Sequence, residues 1–137
     1  MLVINVYLPC VGTVDRQFTY DAVFCNLLSW IDNYPDHMLI LGGDLNVDID
    51  KICPVSTLVN KFIIDCNLHG CDTMFNVGST LSTYYNEALG TESNIDYFLV
   101  NDSVLSFSVL DLETNLSDHR PITISCLMKI SPMSMYQ

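Results

Sequence analysis

Between Leu41 and Asp50 the chain reads LGGDLNVDID, which places Asp44, Asn46, Asp48 and Asp50 at every second position after a pair of glycines. Three kinds of chemistry use such a pattern: an EF-hand calcium loop, a polar surface turn, or a phosphoester-cleaving site at a strand end. The calcium loop requires Gly at its sixth position and Glu at its twelfth. Ile49 and Val55 stand there, so the sharp turn and the bidentate ligand are both missing. A polar turn is how many Asp- and Asn-rich loops arise. In the cleaving site, Asp44 takes a proton from an attacking water and Asn46 donates a hydrogen bond that holds the water or the substrate. Asp48 and Asp50 are then solvated loop residues.

Downstream, Ser117, Asp118 and His119 are consecutive, and Asp96 opens the apolar run DYFLV. Phosphodiester hydrolysis needs an activated water, neutralisation of the charge on the transition state and help for the leaving oxygen. An Asp–His pair supplies a cation that the carboxylate stabilises. A lone histidine is an ordinary surface-turn residue, but His119 has Asp118 beside it and Asp96 at a strand start. The combination points to a site. His37 and His69 lack such company and read as loop residues. Tyr7 ends a β-branched run, where an aromatic is ordinarily core.

The elements that must position these residues follow from periodicity. Val3–Leu8 is apolar on both faces and reads as a strand central in a sheet. Tyr20, Phe24, Leu27, Leu28 and Ile31 recur at helical spacing, with Thr19 as the cap. Met38–Leu41 is a short buried strand that delivers Gly42, Gly43 and Asp44, and Pro54 opens a second helix carrying Leu58, Phe62 and Ile63. Short β-like pieces follow around STYYN, NIDYFLV, LSFSVLDL and PITISCLM, separated by turn signals that include NVGS. This order predicts an α/β architecture with helices covering a mixed sheet.

The chain's 137 residues fit one domain, and half of them are apolar. No apolar run approaches the roughly 20 residues a membrane span needs. No basic, small-residue-terminated leader precedes LVINVYLP, so an intracellular location, nuclear or cytoplasmic rather than secreted, is expected, with no membrane partner. Six cysteines without a C-x-x-C pair read as reduced core thiols, which also argues against zinc. Five Lys and Arg against sixteen Asp and Glu give a formal charge of −11, the wrong sign for generic nucleic-acid binding. A bound metal ion can offset carboxylates where a phosphate docks.

Four segments stand in order: NVYLP (5–9), GGDLNVD (42–48), SNIDYFLV (93–100) and LSDHRPI (116–122). Together they resemble the C-terminal half of the endonuclease/exonuclease/phosphatase superfamily. That family includes apurinic endonucleases, pancreatic-type deoxyribonucleases and the endonuclease domains of LINE-type retrotransposons. The resemblance implies part of a four-layered, DNase I-like α/β sandwich over residues 1–130, with 131–137 a loose tail. It implies Mg²⁺ or Mn²⁺ as cofactor and DNA as partner. It further implies that Tyr7 lies near the scissile phosphate, that Asp44 activates the water beside Asn46, and that Asp96 orients His119. Asp118 would be a metal-site carboxylate with Asp44 and Asn46, and Ser117 would join Asn46 and His119 at the substrate. STYYN (82–86) resembles the aromatic lining of the family's cleft, although cross-strand packing explains it equally well.

The pattern is also departed from. The family carries an asparagine and a metal-binding glutamate before the tyrosine strand. The three glutamates here, Glu87, Glu92 and Glu113, all follow GGDLN. Cys10 stands where nuclease branches carry asparagine, and Arg16 and Arg120 are the only arginines. Three readings follow: a Mg-dependent endonuclease-like domain, retrotransposon-derived on the strength of the short gap between GGDLN and IDYFLV; a catalytically inactive remnant; or a phosphatase of the same superfamily acting on another phosphoester. Another subunit or the N-terminal half of the fold is the expected partner that completes the site and covers the open sheet face.

Overall fold

The computed structural model describes residues 1–75 and 81–128. The tail at 131–137 and the whole NVGS turn (76–79) lie outside them.

The elements run β1 (Leu2–Tyr7), α1 (Arg16–Ile31), β2 (Leu39–Asp44), α2 (Pro54–Asp65), β3 (His69–Gly70), α3 (Cys71–Met74), β4 (Tyr84–Asn86), β5 (Thr91–Ser93), β6 (Asp96–Val100), β7 (Ser106–Val109) and β8 (Ile122–Ser125). Four of them make the central sheet in the order β1-β2-β6-β3, with β1 parallel to β2 and the other pairs antiparallel. The parallel pair needs a crossover, and α1 supplies it.

Alternation along each strand sorts side chains between two layers. Val6, Leu39, Leu41, Tyr97 and Leu99 face the helices, where they pack with Tyr20, Phe24 and Leu27 of α1 and Val55, Val59 and Phe62 of α2. Phe24 stacks on Phe62 at 4.5 Å between ring centres. The opposite face is covered at one end by the β7–β8 hairpin, where Ile40, Val100 and Phe107 form a second, smaller core. A helical layer over a mixed sheet is the arrangement expected of part of a four-layered α/β sandwich.

Several expectations change. Among the described residues β1 pairs with β2 alone and is an edge strand, not a central one; Val3 and Tyr7 are exposed on the face away from the helices. Apolar residues on both faces gave the pattern of a central strand, but only the Leu2, Ile4 and Val6 face finds a core. Thr19 lies inside the first turn of α1, and Asp15, in a left-handed conformation at φ 56° without a side-chain cap, precedes the helix. Cys53 caps α2 reciprocally with Ser56, ahead of Pro54. Of the six cysteines, all free, only Cys71 is buried; Cys10 and Cys25 are exposed. His69 pairs in β3 with Val100.

Both glycines before Asp44 are dictated by neighbours. A Cβ on Gly42 would fall 2.6 Å from the Phe98 ring. Gly43 has φ +136° and a Cβ there would meet the Val6 carbonyl oxygen at 2.0 Å. β2 therefore reaches the level of Asp44 with β1 and Phe98 drawn close against it.

Candidate active site

Tyr7 is the register partner of Asp44 across β1–β2, and Asp44 is the register partner of Asp96 across β2–β6. Directly opposed residues in a sheet point to the same face, so three sequence-derived candidates form one row. They lie on the face away from the helices, beyond the end covered by β7–β8. Tyr7 is 78% exposed, so the strand-end aromatic is not core.

His119 reaches this row from the loop between β7 and β8. Its Nδ1 lies 3.0 Å and 3.2 Å from the two oxygens of Asp96, and its Nε2 lies 4.0 Å from Asp44 Oδ2. An ionised carboxylate only accepts, so Nδ1 carries the hydrogen of that bond. Asp44, Asp96 and His119 together form the one group of three ligand-type side chains with atoms within 4.8 Å of each other among the described residues.

Asn46 follows on a left-handed residue, φ 51°. Its backbone N–H donates to Asp44 Oδ1 at 2.8 Å, and its Nδ2 donates to Asp44 Oδ2 at 2.9 Å and to the Leu8 carbonyl at 2.8 Å. Both partners of Nδ2 are acceptors, which fixes the amide orientation and occupies both of its hydrogens. The donor role expected of Asn46 toward water or substrate is thus already taken by Asp44 and Leu8. Oδ1 is the amide's remaining polar atom.

Two α1 residues hold this turn from beneath, and helical spacing had marked only one of them, as core. Arg16 donates from Nη2 to the Asn46 carbonyl at 2.6 Å and from Nε to the Pro9 carbonyl at 2.9 Å. The fully buried Tyr20 donates its hydroxyl to the Leu45 carbonyl. Bonds to backbone carbonyls leave no periodic trace; only a lone arginine in the first turn of an otherwise uncharged helix face marks the spot.

Charge and burial set the protonation of the cluster. Burial, reinforced by the charge of Asp96, raises the Asp44 pKa above the ordinary carboxylate value against the opposing hydrogen bonds from Asn46. For His119, burial works to lower the pKa, but the hydrogen bond and charge of Asp96 outweigh it, with help from Asp44 and Asp118, and the pKa is raised.

Ser117 and Asp118 take other parts. Ser117 Oγ accepts the His119 N–H at 3.1 Å and so shapes the loop. Asp118 is exposed; its carbonyl accepts from Tyr85 N–H at 2.9 Å, and it lines a 560 Å³ cavity with Tyr84, Tyr85, Asn86 and Arg120. It is not one of the three clustered ligands. A second cavity of 450 Å³ is lined by Asn5, Gly42, Asp96, Phe98 and His119.

Hard divalent cations take oxygen ligands, and Mg²⁺ is held through one or two carboxylates. Asp44 and Asp96 meet that requirement, and Asn46 Oδ1 is a third oxygen nearby in the chain; His119 Nδ1 is committed to Asp96. The donor set fits such an ion.

No family model matches the sequence, and no curated protein matches it. Solved structures do. A 3′-5′ exonuclease, NExo, from Neisseria meningitidis superposes with a TM-score of 0.69 at 22% identity over 90% of this chain and 60% of its own. The chain carries the endonuclease/exonuclease/phosphatase fold. NExo described as a 3′ phosphatase bound to product DNA hairpin gives 0.69 at 22% identity over 92% of this chain and 61% of that one. An endonuclease/exonuclease/phosphatase family protein from Bacteroides thetaiotaomicron gives 0.63 at 20% identity, covering 89% and 48%. The chain spans about three fifths of the length of the Neisseria structures.

Proposed function

We propose that residues 1–130 are a divalent-metal-dependent phosphoester hydrolase domain that cleaves phosphodiesters of DNA with Mg²⁺ or Mn²⁺. The observation that carries this reading is the Asp44–His119–Asp96 cluster at the joined ends of β2 and β6, flanked by Tyr7 and Asn46. Asp44, with its raised pKa and partial burial, is suited to take a proton from water. His119, held through Nδ1 by Asp96, directs Nε2 toward Asp44 and offers a proton to a phosphoryl or leaving oxygen. Bound between the carboxylates, a divalent cation would neutralise phosphate charge and polarise the P–O bond.

The cationic side chains support the need for a metal. Arg16 is spent on backbone carbonyls, Arg120 pairs with Glu92 and the Ser82 carbonyl, Lys51 with Asp48 and Lys61 with Asp65. Each described lysine and arginine is thus engaged within the chain, and the formal charge is −11. Among the described residues this favours a metal ion or residues of a partner as what meets a phosphate. We place that partner as another subunit or a further segment that brings an additional acidic ligand. Endonuclease-like action of retrotransposon type rests on the short spacing from Asn46 to Ile95, and a reverse-transcriptase frame beside the gene would support it. The similarity to the Neisseria 3′-5′ exonuclease and 3′ phosphatase makes DNA ends the other substrate to test.

The test is incubation of the folded chain with supercoiled plasmid, abasic-site duplex and a 3′-phosphate hairpin in Mg²⁺, beside an Asp44→Ala/His119→Ala double variant. Cleavage that vanishes in the variant and in chelator is the expected result. A folded chain inert on all three would identify an inactive remnant.

A further inference from the structure

Asp96 and His119 come from segments that share no direct backbone hydrogen bond: Asp96 opens β6, and His119 sits in the β7–β8 loop. Their 3.0 Å contact must be imposed from elsewhere. One residue is hydrogen-bonded to both segments. Thr83, 3% exposed, is one of two buried polar residues in the described chain. Its Oγ1 accepts the N–H of Ile95 at 3.0 Å and the N–H of Asp96 at 3.1 Å. Its carbonyl accepts the N–H of Arg120 at 2.6 Å. The next residue, Tyr84, bridges His119 as an isolated β pair and sets its ring edge-on to the imidazole at 5.1 Å.

We propose that Thr83 is the positioning residue of the site: a single buried hydroxyl that fixes the strand start carrying Asp96 while its own backbone fixes the loop carrying His119. Two successive N–H groups on one oxygen use both lone pairs of the hydroxyl. Rotation of the Asp96 backbone would break both bonds and leave two donors buried without acceptors. The carbonyl bond to Arg120 restrains the other segment one residue beyond His119. The imidazole therefore meets its carboxylate without any rearrangement when substrate arrives, which is how supporting groups contribute to a site without touching its ligand. The role in turnover rests on the hydrolase reading above; the pairing of Asp96 with His119 does not.

Three variants test it. Thr83→Val keeps the shape and removes the acceptor, Thr83→Ala leaves room for water to satisfy the two N–H groups, and Thr83→Ser restores the oxygen. The readout is the His119 Nδ1–H resonance in the proton NMR spectrum, protected from exchange by Asp96, alongside the melting temperature. The signal should disappear in Thr83→Ala, and in Thr83→Val where it folds, and return in Thr83→Ser, with the fold retained. Where the hydrolase is active, kcat should fall about 10- to 100-fold with KM little changed, and Ser should restore it. A protected His119 signal in folded Thr83→Ala overturns the proposal. So does a Thr83→Ser chain that fails to fold, because the residue would then serve packing. Inert chains that still show the loss and rescue of the signal would sink only the hydrolase reading.

Discussion

Asp44 and Asp96 oppose each other across the antiparallel β2–β6 pair, and His119 lies over both, 3.0 Å from one and 4.0 Å from the other. Two facing carboxylates repel, and a histidine that takes up a proton between them relieves that repulsion. The raised pKa of His119 is the other half of that relationship.

The pH dependence follows in sign. A group whose folded pKa is raised contributes stability that is complete below its unfolded value, 6.5 for histidine, and is lost as pH rises through the folded value. Replacing His119 by Gln should therefore cost most stability in mildly acidic solution and progressively less as pH rises above neutrality. Denaturant melts of both proteins at pH 5.5 and pH 8.5 measure the gap. A gap of equal size at the two values would refute the coupling. Asp96→Asn should shift the His119 titration downward in an NMR series, since the largest favourable interaction is then weakened.

Gly43→Ala tests the close approach at the strand end. Its φ of +136° and the 2.0 Å approach to the Val6 carbonyl leave no room for a methyl group without displacing β1. Backbone strain and overpacking together should cost about 3 kcal/mol or more. Since Asp44 is the next residue, any folded variant should also lose activity. Thermal melts decide: a variant within a degree of the parent would mean that β1 moves away freely.

Arg16 makes the third case. Its guanidinium donates to two carbonyls on different loops, and lysine cannot reproduce that fork. Arg16→Lys should cost about 1.5–3 kcal/mol, the range for hydrogen bonds to charged groups. The Asn46 amide should shift in ¹H–¹⁵N spectra, whereas residues of the β7–β8 hairpin stay in place. Uniform small shifts throughout the chain would argue that Arg16 serves general packing instead.

Much of this was legible in the sequence because it was periodic or local. The apolar runs located β1, α1, β2, α2 and β6, and the order of the four motifs pointed to the fold. The same strand-end positions carry Tyr7, Asp44 and Asp96 into one row, since a motif at a strand terminus inherits the sheet register. What escaped depends on contacts between segments far apart in sequence. Thr83 lay in an aromatic piece that cross-strand packing explained, and nothing local marks a hydroxyl that binds two N–H groups twelve and thirteen residues on. The edge position of β1 escaped for the converse reason: apolar composition reports that a face can be buried, not that the described chain buries it. Asp118 stood beside His119 in sequence, yet it lines the cavity with Tyr84 and Tyr85 and is not part of the Asp44–Asp96–His119 cluster.

The thiols give a prediction independent of the site. Cys71 is wholly buried, and burial, then the nearby Asp72, pushes its pKa up to about 11; Cys66 is pushed to about 11 by burial, then Asp65 and Asp32. Only a thiolate alkylates readily, so iodoacetamide at pH 8 should label the exposed Cys10 and Cys25 first and reach Cys71 only after unfolding. The same shift acts on stability. The folded state holds the Cys71 proton more tightly than the unfolded chain, whose thiol titrates near 9, so the benefit is full below pH 9 and declines as pH rises toward 11. Cys71→Ala has no such proton to lose, and its stability should therefore fall less steeply than the parent's between pH 9 and 11. Mass mapping of the labelled chain and alkaline denaturant melts check both halves. Rapid labelling of Cys71 in the folded protein would mean that the core around Ile40, Val100 and Phe107 opens far more readily than its packing implies.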